Sequence, residues 1–193
     1  MIFRPDPLPR GPAGSLPTPY QETNMPHVIE PLALPAMRQH TGLYLGPRHA
    51  KPVTDDVILQ VAQRTTGGGA SILLDVADVS RAVCWLVAAT GQDPKVEGYG
   101  SRRQAPGPVL NPFVAVARYG DYADVLTLYV ADGEVVASVQ HFATDFGNAG
   151  PQGTTRLTIV QSGQLRDWLA AWHLHGWPGV PRAGAGEPAA VTR

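Results

Sequence analysis

The sequence predicts an α+β fold built on a mostly antiparallel sheet, and three observations carry that prediction. Two apolar-alternating runs between Val125 and Phe142 hinge on Asp132-Gly133. A third run, Phe113 to Tyr119, joins them through Gly120-Asp121. Two segments with helical spacing, about 76–90 and 163–175, each end at a glycine.

Taken in order, Val57 to Arg64 and Ser71 to Leu74 read as strands around the loop Thr65 to Gly69. The first helix follows from Val76 to Thr90. Asp75 suits its N-cap, Asp78 places negative charge in the first turn, and Gly91 ends it. Lys95 to Arg102 is a further candidate strand. In the hairpin, Asp-Gly tolerates the positive φ that a two-residue type I′ loop demands. That loop sets Tyr129 opposite Val136, Leu126 opposite Val139 and Asp124 opposite His141. Leu126, Leu128, Ala137 and Val139 then share one apolar face, because side chains alternate along a strand. Gly120-Asp121 has its glycine where a type II′ turn needs one, which makes a three-stranded meander over about 113–142. Beyond it, Thr144 to Thr154 reads as a loop and Arg156 to Val160 as a strand. The second helix, Gly163 to His175, has Ser162 as cap, Gly176 as terminator and Pro178 beyond. Leu165, Trp168, Leu169 and Trp172 form its packing stripe. The predicted order is ββαβββββα, without a convincing internal repeat.

Three regions follow from composition. Residues 1–52 hold 11 of the 19 prolines and read as an extended arm, because proline fixes φ and removes a donor. Residues 53–177 form the globular domain. Residues 178–193 are rich in Gly, Ala and Pro and read as a flexible tail. Met25-Pro26-His27 opens a more apolar stretch, which makes Met25 a second candidate start.

Charge and composition narrow the function. A net charge of −1 offers no electrostatic footprint for a phosphate backbone, so nucleic acid is an unlikely partner on this reading. Cys84 is the single cysteine, which excludes an intrachain disulfide and a thiolate metal cluster. No apolar run approaches the roughly 20 residues of a membrane span, and the start lacks a secretory pattern. The glycines Gly67 to Gly69 lead into a strand without a following lysine, unlike a phosphate loop. His173 and His175 are two apart on a helix and point in different directions, and His40 and His49 lie in the arm. Neither a metal nor a cofactor is expected.

One pair with catalytic potential emerges, Asp124 beside His141, where a carboxylate could orient an imidazole as a general base. Thr144 or Ser138 would be the nucleophile, with Asp145 nearby. A plain cross-strand ion pair worth about 0.2–1 kcal/mol is the preferred reading, because no nucleophile sits in a strained turn. Trp85 falls nearly opposite the helix stripe Val76, Val79, Val83, Leu86 and Val87, with small neighbours Ala82 and Ala89. These three residues are the expected partner-binding patch, covered by the arm or a second subunit. The leading function is thus a non-enzymatic interaction or assembly protein, cytoplasmic or virion-associated, of the kind phages and mobile elements encode. The alternatives are a small hydrolase using Asp124 and His141, or a small-ligand-binding domain.

Overall fold

A computed structural model describes residues 29–36, 41–48, 54–63, 69–100, 110–143 and 149–180. Ten elements run in the order β1 (Leu32–Ala36), β2 (Thr41–Gly46), β3 (Val57–Gln63), β4 (Gly69–Leu74), α1 (Val76–Thr90), β5 (Phe113–Tyr119), β6 (Tyr122–Ala131), β7 (Glu134–Ala143), β8 (Ala149–Leu157) and α2 (Ile159–His175). The chain therefore makes the same unit twice, four antiparallel strands followed by a helix. Each helix starts one residue after its fourth strand: Leu74-Asp75-Val76 in the first unit, Leu157-Thr158-Ile159 in the second.

The broad α+β prediction holds, whereas the strand count and order do not. The meander is seen with the predicted register, Tyr129 opposite Val136 and Asp124 opposite His141. Asp132 and Gly133 both have positive φ, and Gly120 does while Asp121 does not. But β8 extends it to four strands and fills most of the span expected to be a loop. Its sequence, Ala-Gly-Pro-Gln-Gly-Thr-Thr-Arg-Leu, carries little strand propensity; Gly153, Thr155 and Leu157 nevertheless alternate inward. The expected strand at Lys95 is absent from 95–100, and 101–102 lie outside the described residues. The second helix begins a turn earlier than expected. Thr158, not Ser162, caps it, in a capping box with Gln161.

The expected arm also needs correction. Residues 1–28 lie outside the described residues, but β1 and β2 form half of the first sheet. Pro35 is tolerated because β1 is an edge strand, where a missing donor is no loss. Leu34, Leu43 and Leu45 point inward and are buried. At the other end, Trp177 is buried and its Nε1 donates to the Asp56 carbonyl at 2.8 Å, so ordered packing continues to the start of the expected tail. The tail beyond Val180 is outside the described residues.

The two sheets pack with their inner faces together. β4 touches every strand of the second sheet and β8 every strand of the first, as happens when strands cross steeply. The sheets approach closely at Gly153, where a Cβ would stand 2.6 Å from the Val61 carbonyl oxygen. Thr41 and Thr155 bridge the sheets by a buried hydroxyl bond of 3.0 Å. The helices pack on each other, and buried Arg166 of α2 clasps the end of α1 through the Thr90 hydroxyl and the Gln92 carbonyl, each at 3.0 Å.

Candidate functional site

Strand length decides where chemistry is exposed. The strands of the second sheet are 7, 10, 10 and 9 residues long, those of the first only 5 to 7. The second sheet therefore overhangs the first. At one overhang, Tyr119, Tyr122, Asp124 and His141 occupy inner-face positions beyond the apolar core.

The Asp124–His141 pair forms as predicted, Nδ1 to Oδ1 at 2.6 Å. The imidazole stacks on Tyr122, with ring centres 5.4 Å apart and planes 21° apart. The β7–β8 ladder shifts register between Gln140 and Phe142, and such a bulge re-aims a side chain. Opposite it, Gly150 leaves room for the ring: a Cβ there would stand 2.9 Å from His141 Cδ2. Ser138 cannot serve as nucleophile. It lies on the outer face, opposite to His141, and shares a hydrogen bond with Thr154 at 3.1 Å. Thr144 and Asp145 lie outside the described residues.

Tyr119 borders a cleft of about 230 Å³ with Arg48, Ile58, Ser71, Ile72, Leu73 and Asp124. Burial, then the negative charge of Asp124, pushes its phenol above the usual pKa, against a Leu73 backbone hydrogen bond and the Arg48 guanidinium.

The outer face of the second sheet is a different surface. Val114, Val116 and Tyr129 are exposed there by 45%, 45% and 37%. Beside them, across β6, β7 and β8, runs a band of hydrogen-bonding side chains, half-buried Thr127, Ser138, Gln140 and Thr154 with exposed Gln152. Exposed Arg118 stands at one end; Arg156 at the other bonds Asp132 at 3.0 Å. The mixed face at Thr127, Ser138 and Gln140 follows from the hairpin register; its β8 part was missed in sequence because Thr144 to Thr154 read as a loop, which left Thr154 and Gln152 without a sheet.

Trp85 is not an open patch. It is 9% exposed, Ala82 is buried, and Ala89 packs against the core. The stretch before β5 covers that side of α1: Trp85 Nε1 donates to the Asn111 carbonyl at 2.7 Å, and the Arg81 guanidinium lies 5.5 Å from the Phe113 ring centre. The chain itself provides the cover that an arm or a partner was expected to give.

No protein-family model matches this chain, and no characterised protein matches it by sequence. Among solved structures it is similar to the crystal structure of WHY3 from Arabidopsis thaliana, with a TM-score of 0.42 and 12% identity over 70% of this chain and 82% of that one. It is also similar to the structure of the plant transcriptional regulator PBF-2, with a TM-score of 0.44 and 11% identity over 78% of this chain and 84% of that one. The expectations of an unlikely nucleic-acid partner and of a phage-type interaction or assembly protein are set aside beside these neighbours, one of them described as a plant transcriptional regulator. Among the described residues, no helix is long and apolar enough to cross a membrane. The physical fault lies in the charge argument. A net charge averages over the whole chain, whereas single-stranded nucleic acid is held largely by stacking and hydrogen bonding on a local surface.

Proposed function

We propose that the protein binds single-stranded nucleic acid across the outer face of its second sheet. The observation that carries this reading is the composition of that face. Four antiparallel strands present exposed Val114, Val116 and Tyr129 beside the Thr127, Ser138, Gln140, Gln152 and Thr154 band, with Val136 buried opposite Tyr129. Unstacked bases need flat apolar or aromatic surface for their rings and donors or acceptors for their edges. The first sheet also presents Tyr44, Gln60 and Ser71 outward, but it has fewer such positions, alongside Ala33, Gly42, Ala62 and Gly69.

Few cations face the strand, so phosphate contributes little. With Arg118 and Arg156 as the two phosphate contacts, log affinity falls with log salt at a slope of about −1.4. Duplex is excluded because its bases are stacked inward and its phosphate charge goes unmatched here.

Fluorescence anisotropy with labelled 20-nucleotide single strands and the matching duplex tests this. Single strands bind with the shallow salt slope, duplex binds far more weakly, and Tyr129→Ala weakens the single-strand complex by about 1–3 kcal/mol. Failure of any single strand to bind at low salt, or tighter binding of the duplex, overturns the reading.

A further inference from the structure

The overhang beside the first sheet holds chemistry that a general binding plate does not need. The cleft there, about 230 Å³, is smaller than the roughly 300–1,000 Å³ pockets that hold drug-sized ligands. It suits one planar ring. Its apolar walls, Ile58, Ile72 and Leu73, stand near Tyr119, which is 42% exposed and offers an aromatic surface.

The polar lining is selective. Asp124 spends part of one carboxylate oxygen on His141, yet a carboxylate has about four lone-pair sites and keeps acceptor capacity toward the cleft. Its direction is set in advance, because the His141 ring that holds it is stacked on Tyr122. Among the described residues whose charge acts on Tyr119, Asp124 and Asp56 are acidic and Arg48 is basic. Such a site repels phosphate and attracts N–H donors.

Among nucleobases, cytosine, adenine and guanine carry an exocyclic amino donor, and aspartate is a known acceptor for cytosine N4. Thymine places its one ring N–H between two carbonyl oxygens, which the carboxylate repels.

We propose that this cleft takes a single unstacked nucleobase bearing an exocyclic amino group, with Asp124 accepting its N–H and Tyr119 packing on its ring. The proposal rests on single-strand binding by the second sheet. Arg118 faces outward and Tyr119 inward, next to each other before the Gly120-Asp121 turn. A strand leaving the outer face at Arg118 therefore reaches the cleft by rounding that turn.

Competition at pH 8 with the full chain, using a labelled mixed-sequence 20-mer, separates the two ideas. Unlabelled dC20 should displace the reporter on the order of tenfold better than dT20, the size of one specific base contact. Asp124→Ala should remove this preference, weakening dC20 and relieving the repulsion of dT20, and Tyr119→Leu should reduce the preference in a chain that keeps the Asp124–His141 pair. Equal competition by dC20 and dT20 overturns the base subsite and leaves the sheet reading intact. A preference that survives in both variants overturns it too, by placing the selection elsewhere. Binding of neither oligonucleotide ends the sheet reading, and the subsite with it.

Discussion

The two sheets come from the same unit, four antiparallel strands and a helix, and differ in length. In the first sheet, β2, β3 and β4 bury every second residue against the partner sheet and have little left over. In the second, β6 and β7 are ten residues each, and their ends outrun the contact. On β6, Leu126 and Leu128 are essentially fully buried, while Tyr122 and Val130 on the same face are 51% and 46% exposed. The sequence pattern is continuous along that face; what changes is whether anything lies opposite. The candidate site in this fold is built from the surplus.

The sharpest way to break this comparison is to truncate within one face. Leu126→Ala removes a fully buried side chain and should cost about 2–5 kcal/mol in chemical denaturation. Tyr122→Ala, four residues outward on the same face, removes a larger side chain yet should cost under about 1 kcal/mol. Its ring contacts His141 and solvent in place of a second sheet. Equal losses would mean that the overhang is covered in solution.

The next effect compares two glycines of β8. Gly153 faces the Val61 backbone, which cannot yield, so Gly153→Ala should destabilise by about 1–3 kcal/mol. Gly150 faces the edge of the His141 ring. Gly150→Ala should cost less and act on the site: the imidazole must shift, and its NMR signals should move while those of Leu126 and Val139 stay. A Gly153→Ala chain as stable as the parent would place the sheets further apart than described.

Helix starts give a third, smaller comparison. Asp75 accepts from the Asp78 N–H at 2.7 Å, while Thr158 shares a reciprocal box with Gln161. Replacing either by alanine should cost about 1 kcal/mol. A negligible loss at Thr158 alone would mean that the Ser162 hydroxyl, which donates to the Thr158 carbonyl at 2.9 Å, belongs to a helix held without its cap.

What could be read in advance follows the same division. The β6–β7 register was legible because Asp132-Gly133 and one-sided alternation both specify it. The first helix was legible from Asp75 and Gly91, both of which act as caps. β1, β2 and β8 were not, since prolines and glycines mask them. Yet Leu32-Ala-Leu34 and Leu43-Tyr-Leu45 already alternate, and each pair faces inward. Proline on an edge strand and glycine at a close sheet contact are tertiary facts, invisible to local propensity. The Asp124–His141 pair was legible as a local contact across one hairpin. The cleft beside it was not, because Arg48, Ser71 and Leu73 arrive from the other sheet. Trp85 misled for a related reason: the cover on α1 comes from residues near Asn111, which no helical wheel displays.

The smallest expected effect probes that junction between the sheets directly. Burial is the larger cause of the raised Tyr119 pKa and the Asp124 charge the second, with the Leu73 backbone bond and Arg48 opposing both. All of these depend on the overhang lying against the edge of the first sheet. In an absorbance titration at 295 nm, one tyrosine should ionise above the ordinary value of 10.0, and Tyr119→Phe should remove that component. Asp124→Asn should bring it down without restoring the ordinary value, since burial remains. The sign for stability follows from the raised pKa: folding favours the protonated phenol, so this contribution is intact below pH 10 and is lost as pH rises through the folded-state value. With 42% of the residue exposed, solvent keeps the contribution small, and the spectroscopic midpoint is the better reporter. A midpoint unchanged by Asp124→Asn would separate the two side chains and open the cleft that the overhang is argued to form.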